Sequence, residues 1–253
     1  MALTVEKSDR IARVTLDRPP VNAITLDIYA EIGDVFESAA EWTDVNCIVF
    51  TGAGSRAFCA GLDLHEFLAA TVDEDPKRAA VIRRTFTAVR TAAVPVIAAV
   101  NGPGRGAGCV LASLCAVRIA AENATFGLPE INVGRCGGAA HLGRLIPQGA
   151  LRRMFFTGKP IDAAEAFRIG LVDEVVPLDG LMGAAERLAG VIAAKAPLGL
   201  RLGKQAMNEV EFMPVDEGYA REQQYSTRLM ATEDAREATR AVVEKRPPVF
   251  QGR

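Results

Sequence analysis

Two neighbouring glycine turns are the part of the sequence best suited to hold an anion. The hexapeptide "GAGSRA" at residues 52–57 follows the apolar run "CIVFT" at residues 47–51, and a second turn, "CAG", follows at residues 59–61. A strand that leads into G-x-G-x-x-G/A is typical of dinucleotide sites, where backbone N–H groups hold a pyrophosphate. Backbone N–H groups at strand ends and helix N-termini also stabilise a developing oxyanion.

The surroundings of the hexapeptide argue against a nicotinamide or flavin dinucleotide site. In such a site the last Gly or Ala lies inside the first turn of a helix. Here Ala57 is followed by a further turn, and a helix is expected only near residues 62–68. A dinucleotide site also needs an acidic residue about 20 residues further on, which binds the ribose. The only candidates near that distance are Asp73 and Glu74, and they lie in a polar stretch before a helix. The dinucleotide interpretation is therefore disfavoured.

A second glycine-rich loop favours the oxyanion interpretation. "NGPGRGAG" at residues 101–108 also follows a short apolar run, residues 94–100, and also leads toward a helix. Two such loops can present two free backbone N–H groups to one point, which is a standard way to stabilise a negative oxygen during a reaction.

The remaining pattern predicts the elements that position these loops. Apolar residues alternate with polar ones over residues 11–17, which predicts a half-buried strand, and continuous apolar runs predict buried strands at 47–51 and 94–100. Apolar residues at helical spacing predict helices over residues 26–42 and 76–91. After residue 163 the chain is predicted to be mainly helical, with a short strand at 173–177 and helices at 184–194, 197–210, 215–230 and 233–244. This order indicates an α/β body with a helical tail.

Composition excludes several function classes. The net charge of −2 and the lack of a basic cluster argue against nucleic acid as a partner, and no apolar run approaches the length of a membrane span. The N-terminus lacks the order of a signal peptide, and five scattered cysteines without a C-x-x-C pair are typical of reduced thiols, so we expect a cytoplasmic protein. Neither histidine lies in a ligand-spaced cluster, so no metal site is expected.

Five motifs in a fixed order resemble those of the crotonase superfamily, the enoyl-CoA hydratase/isomerase family. They are "GAGSRAFCAGLDL", "PVIAAVNGPGRGAGCVLA", "ATFGLPEINVG", "DAAEAFRIGLVDEVVP" and "VVEKRPPVF". The resemblance implies an α/β fold, a spiral of ββα units, with residues 1–195 as the core carrying an acyl-CoA site. It implies that residues 196–253 form a C-terminal helical trimerisation region, in homotrimers or dimers of trimers. It also implies acyl-CoA substrates and no cofactor apart from the coenzyme A of the substrate.

The same resemblance assigns the oxyanion donors. It implies that the backbone N–H groups of Leu62, after the "CAG" turn, and Ala107, in the middle of "GAG", donate to the thioester carbonyl. Because both donate through the backbone, neither side chain has to be polar. Two preorganised donors stabilise the enolate that forms when a proton leaves C2, and removing one such donor typically costs about 10²–10³ in rate.

The acid-base residues of the family are only half present. The resemblance implies a glutamate at two positions, and here these are Val110 and Glu130. Hydration normally uses both carboxylates to align water, whereas one glutamate suffices to take a proton from C2 and return it at C4. We therefore expect double-bond isomerisation of an enoyl-CoA. The alternatives are an enoyl-CoA hydratase, a hydroxyacyl-CoA dehydratase, and, since the catalytic set is incomplete, a non-catalytic acyl-CoA-binding relative.

Two side chains near these motifs have two interpretations each. His141 departs from the commoner family pattern at its position, and a structural histidine is favoured over a second acid or base. Glu66 follows the first oxyanion donor by four residues; a solvated helix residue is favoured over one that reaches the acyl tail.

Coenzyme A contacts are implied by resemblance at five positions. The matching residues are Ala60, Asp63 and Leu64 in the first oxyanion loop, Val21 opposite them, and Lys245 in the terminal "EKR" stretch, which reaches the nucleotide phosphates. Lysine near a helix C-terminus also suits the helix dipole, so a structural explanation of Lys245 stays open.

Overall fold

A six-stranded sheet organises the fold in the computed structural model, which describes residues 1–253. The strand order is β1-β2-β4-β6-β8-β11; β1 and β2 are antiparallel, and all other neighbours are parallel. The strands are β1 (Leu3–Ser8), β2 (Ile11–Leu16), β4 (Cys47–Gly52), β6 (Val96–Val100), β8 (Val117–Ala121) and β11 (Glu174–Val176).

Parallel pairing places the two glycine loops at the same edge of this sheet. Strands β4 and β6 are in register with Thr51 opposite Ala99, and they end at Gly52 and Val100. Because the carboxyl ends of parallel strands share one edge, the loops that follow must start side by side.

Two small sheets extend this edge. Strand β3 (Ala23–Ile24) pairs in parallel with β5 (Gly61–Leu62), and β7 (Gly104–Arg105) pairs in parallel with β9 (Thr125–Gly127), which β10 (Ile161–Asp162) joins. The segments after "CAG" and within "NGPGRGAG" are therefore extended and hydrogen-bonded.

Helices cover both faces of the main sheet. The eleven are α1 (Leu26–Ser38), α2 (Leu64–Ala69), α3 (Asp75–Thr91), α4 (Ala107–Leu114), α5 (Ala139–Leu142), α6 (Gln148–Thr157), α7 (Ala163–Arg168), α8 (Leu181–Ala193), α9 (Pro197–Val210), α10 (Val215–Met230) and α11 (Glu233–Val243). On β4, Cys47 and Val49 face α8, whereas Ile48 and Phe50 belong to the larger core with α1 and α3. Burial on both faces explains why β4 is apolar throughout.

An aromatic row fixes the first glycine turn to the core. The ring of Phe58, in the turn, lies edge-on to Phe50 at 5.4 Å, and Phe50 lies edge-on to Phe36 at 5.3 Å. Phe58 is fully buried, so the turn is held by a large apolar side chain.

The predicted elements are largely confirmed, with exceptions at one edge and in the connections. Strand β1 was not predicted, because only Leu3 of its six residues is buried and no apolar alternation is visible. The helix predicted over 26–42 ends at Ser38, and the glycine-rich stretch after residue 126 contains β9, a 3₁₀ turn at Pro129–Val133 and α5. No helix combines the length and the apolar character needed to cross a bilayer.

Candidate active site

The two glycine loops are hydrogen-bonded to each other. The N–H of Cys59 donates to Pro103 O at 3.3 Å, and the N–H of Arg105 donates to Cys59 O at 3.0 Å. A Cβ added at Gly108 would overlap Cys59 O, so the start of α4 lies directly against the first turn. Only glycine permits this approach, because any side chain there would force one backbone away from the other.

The two predicted oxyanion donors lie at this contact. Gly61, the residue before Leu62, has φ +93, and a Cβ built on it would lie 2.7 Å from Arg105 O and 3.6 Å from Ala107 N. Leu62 itself is half-buried, and Ala107 is 8% exposed. The structure thus brings the backbones of Leu62 and Ala107 together from separate loops.

Ala107 has a backbone N–H that the helix does not use. It is the first residue of α4, and the first N–H groups of a helix have no acceptor within it. The preceding residue, Gly106, donates its N–H to Gly127 O at 2.9 Å. The helix is buried along its whole length, so its N-terminal partial charge acts in a region of low dielectric constant.

Glu130 lies beside this loop. It belongs to the 3₁₀ turn Pro129–Val133, and its Oε1 lies 2.8 Å from the position that a Cβ on Gly106 would take. Its Oε2 is enclosed without a hydrogen-bond partner, and no cation pairs with it. Burial raises the pKa of the Glu130 carboxyl above its ordinary value, against the opposing effect of a backbone hydrogen bond. An unpaired carboxyl with a raised pKa is suited to general acid-base work.

Val110, three residues after Ala107 on α4, is an apolar side chain at the second position where the family resemblance implies a glutamate. It is 2% exposed. A Cβ on Gly138 would lie 2.8 Å from Val110 Cγ2 and 2.8 Å from Leu128 Cδ2. The position therefore offers no group that can hold water or transfer a proton.

Two acids just after the first turn, Asp63 and Glu66, are held by partners within the chain. Asp63 accepts the N–H groups of His65 and Glu66, both at 3.0 Å, and pairs with Arg18 at 2.8 Å. Glu66 accepts the N–H of Leu26, at 3.0 Å to its nearer oxygen, and pairs with Arg78 at 2.6 Å. The interpretation of Glu66 as a solvated helix residue is wrong, because its carboxylate connects the start of α1 to α3.

The positions expected to contact coenzyme A surround the first turn, with one exception. The N–H of Ala60 donates to Val21 O at 3.0 Å, and Leu64 is 57% exposed. The side chain of Asp63 caps α2, so a ligand contact there would use its backbone. Lys245 is exposed beyond α11, and α11 packs on α10. The single chain does not bring Lys245 to the turns.

Two buried asparagines that the sequence interpretation missed hold the first turn. Asn22 Nδ2 donates to Ala57 O at 2.9 Å, and Asn101 Nδ2 donates to Gly54 O at 2.7 Å. Asn22 also lines a cleft of about 320 Å³ beside the turn. The signal available in the sequence was their placement, since each lies inside a proline- or glycine-containing connection at the end of a strand.

His141 lies on α5 and packs against an aromatic ring of α3. It is half-buried, and its ring lies edge-on to Phe86 at 5.4 Å. Burial, followed by the charges of Arg144 and Arg90, lowers the pKa of His141 below its ordinary value. A neutral, packed imidazole is consistent with the structural interpretation.

Comparison with known proteins identifies the family. The profile of the enoyl-CoA hydratase/isomerase family matches residues 6–253. The chain belongs to the enoyl-CoA hydratase/isomerase family. A crystal structure of enoyl-CoA hydratase from Bacillus anthracis superposes with a TM-score of 0.96 at 32% identity, covering 100% of both chains. The predicted crotonase-type α/β fold and the assignment as an enzyme of this family are thereby confirmed.

Relatives of this family member carry different activity names. Short-chain-enoyl-CoA hydratase from Clostridium acetobutylicum is 37% identical over 246 residues, 96% of this chain and 94% of that protein. A Mycobacterium tuberculosis protein is 40% identical over 240 residues, 93% of this chain and 95% of that protein. Its name is (7aS)-7a-methyl-1,5-dioxo-2,3,5,6,7,7a-hexahydro-1H-indene-carboxyl-CoA hydrolase.

Proposed function

We propose that this member of the enoyl-CoA hydratase/isomerase family forms an acyl-CoA enolate and moves a double bond, with Glu130 as its only acid-base residue. The observation that carries the proposal is the contrast between Glu130 and its neighbours. Glu130 has an enclosed, unpaired carboxylate oxygen, whereas Val110 is apolar and both Asp63 and Glu66 are paired within the chain.

The reaction follows from this arrangement. The thioester carbonyl oxygen accepts hydrogen bonds from the N–H groups of Leu62 and Ala107. Glu130 removes a proton from C2, and the electron pair of that C–H bond passes into the enolate, whose negative oxygen the two donors stabilise. Glu130 then returns the proton at C4, so that the double bond moves from C3–C4 to C2–C3. Atoms and charge balance without water or a cofactor.

Hydration, or its reverse, dehydration, is the second candidate. It is favoured by the name of the Clostridium acetobutylicum relative, a hydratase. Water addition needs a group that orients the water as well as one that transfers its proton, and Val110 stands where a carboxylate would do this. A non-catalytic acyl-CoA-binding role is the third candidate, and any turnover that depends on Glu130 would exclude it.

A panel of 2-enoyl-, 3-enoyl- and 3-hydroxyacyl-CoA substrates, followed by mass spectrometry, separates these functions. We expect 3-enoyl-CoA to give a product of unchanged mass, and Glu130→Gln to lower its rate of formation by about 10²–10⁴. Hydration of crotonyl-CoA at a rate typical of hydratases would contradict the proposal. Binding of every substrate without any product would favour the third candidate.

We also propose that the C-terminal region, residues 196–253, forms the subunit interface of a homotrimer. The supporting observation is a set of exposed apolar side chains on α9, α10 and the connection between them, including Met207 at 70%, Phe212 at 75% and Val215 at 85% exposure. Light scattering coupled to size-exclusion chromatography should give the mass of three or six chains. Replacing Phe212 and Val215 by serine should lower it.

A further inference from the structure

Tyr29 carries a polar group that the proposed reaction does not use. It lies on α1, is 2% exposed, and its ring lies edge-on to Phe86 at 6.0 Å. Thr85 Oγ1 donates to the Tyr29 carbonyl at 2.6 Å, which holds α1 against α3 at this residue. The Tyr29 hydroxyl makes no hydrogen bond within the chain, although buried tyrosine hydroxyls usually have a partner.

Arg78 has unused donors on the same side of α1. Its side chain is 11% exposed, and it pairs through one nitrogen with Glu66 Oε1 at 2.6 Å. Glu66 in turn accepts the N–H of Leu26, which precedes Tyr29 by three residues and lies on the same face of α1. A guanidinium has five N–H donors, so most of those on Arg78 have no acceptor in the protein.

These free donors are not sealed from solvent. The fully enclosed side-chain atoms without a partner are Asn101 Oδ1, Thr125 Oγ1, Glu130 Oε2, Arg144 NH1 and Glu211 Oε2. Neither the Tyr29 hydroxyl nor the Arg78 guanidinium belongs to this set. After burial, the charges of Cys59 and Glu130 are the largest contributions raising the pKa of Tyr29, and the charge of Arg78 opposes them. The hydroxyl therefore stays a donor and lies within electrostatic range of both Glu130 and Arg78.

We propose that Tyr29 and Arg78 form a polar subsite that binds a ketone oxygen on the acyl group, beyond the carbons that react at Glu130. This deepens the proposed function and rests on it. An alkyl chain would leave these donors without acceptors, which is unfavourable in a buried place. Because Glu66 already balances the charge of Arg78, a neutral carbonyl oxygen suits the subsite better than a carboxylate.

The test measures a preference between substrates. Medium-chain 3-enoyl-CoA compounds that carry one ketone at successive positions beyond C4 are compared with the unsubstituted chain and with a chain that ends in a carboxylate. We expect at least one ketone position to give a kcat/KM about tenfold or more above that of the unsubstituted chain, as one hydrogen bond to a charged donor provides. Tyr29→Phe and Arg78→Met should each bring this ratio close to one.

Two further variants control for the general loss of a tyrosine hydroxyl and for effects on turnover. Tyr225→Phe removes a tyrosine hydroxyl of α10 that donates to Glu209 of α9 at 2.6 Å, and it should leave the ratio unchanged. The same ligands are titrated against Glu130→Gln, so that binding preference is measured without turnover. A preference in binding without Glu130-dependent turnover would contradict the proposed function alone. Glu130-dependent turnover with no ketone preference, or with a stronger carboxylate preference, would overturn the subsite.

Discussion

The Glu130 carboxylate lies against Gly106, with Oε1 2.8 Å from the position of a Cβ on that glycine. Since Gly106 directly precedes Ala107, an enclosed carboxylate whose Oε2 has no hydrogen-bond partner lies against the residue before a proposed oxyanion donor. In the proposed reaction, Glu130 acts on C2 and the N–H of Ala107 acts on the carbonyl oxygen, two atoms that are both bonded to the thioester carbon. The contact between Glu130 and Gly106 is the structural basis of the proposed enolate formation.

The pH dependence of the reaction should reflect the burial of Glu130. Its pKa is raised by desolvation, and it acts as a base only when ionised, so kcat/KM should fall as pH decreases through this raised pKa. We expect the acid limb of the profile above about 4.3, the value of an unperturbed glutamate. His141→Ala should leave this limb in place. A limb at the unperturbed value, or one lost with His141→Ala, would assign the base elsewhere.

A second carboxylate should change the product. Val110→Glu places an acid beside the site where the wild-type wall is apolar. We expect the ratio of hydrated to isomerised product to rise at least about tenfold, since general acid-base groups contribute about 10²–10⁴ each. The ratio is measured by mass spectrometry after incubation with 3-enoyl- and 2-enoyl-CoA.

Val110→Gln is the control for this change, because it has similar size and polarity but cannot transfer a proton. Equal products from both variants would mean that space, and not the carboxylate, limits hydration. Efficient hydration by the wild-type protein would contradict the assumption that Val110 prevents water addition.

The contact between the loops should be sensitive to a single methyl group. Gly108→Ala would place a Cβ on Cys59 O, and the backbone next to Ala107 would have to move. We expect kcat to fall by about 10²-fold, comparable to the loss of one oxyanion donor, together with a lower melting temperature. Gly149→Ala, where a Cβ would meet nothing within 4 Å, is the matched control. Activity within about twofold of wild type for Gly108→Ala would disprove the tight contact.

Alkaline stability should depend on Lys204. Its Nζ donates to Val94 O at 2.9 Å, and burial lowers the pKa of Lys204 to about 8. The pKa of a lysine in an unfolded chain is about 10.4, so between these two pKa values the unfolded chain binds a proton that the folded chain does not. Lys204 therefore makes the free energy of unfolding rise with pH, by up to about 3 kcal/mol.

Comparison with Lys204→Met measures this effect together with the influence of the lysine charge on the buried cysteines nearby. Buried thiols such as Cys47 and Cys115, whose pKa values are raised to about 12, have the opposite pH dependence because the unfolded thiols ionise first. Denaturant unfolding of both proteins from about pH 7 to about pH 10.5 gives the difference in unfolding free energy. A difference that does not change with pH would show that Lys204 is not desolvated.

Much of the architecture was predictable because buried strands and helices require apolar residues in recognisable patterns. Strands β4 and β6 are covered on both faces, and their continuous apolar runs gave both the strands and the starting points of the glycine loops. The position of Glu130 was predicted from its motif, and the structure adds its contact with Gly106 and its unpaired oxygen.

What could not be predicted depends on contacts between distant residues. Glu66 looked like a helix surface residue, but its partners Leu26 and Arg78 lie 40 and 12 positions away. Tyr29 fits the apolar face of α1 in sequence, and only the fold shows that its hydroxyl lacks an acceptor. Strand β1 is stabilised by pairing with β2 rather than by an apolar face of its own.

Hydrogen exchange in D₂O isolates the proposed proton transfer by Glu130, because it reports enolate formation without water addition. Wild-type protein and Glu130→Gln are incubated with 3-enoyl-CoA, and deuterium at C2 and C4 is followed by mass spectrometry. We predict deuterium uptake by the wild type, a loss of about 10²–10⁴ in rate with Glu130→Gln, and nearly equal affinity of both for coenzyme A. Undiminished exchange in Glu130→Gln, or none in the wild type, would contradict the account.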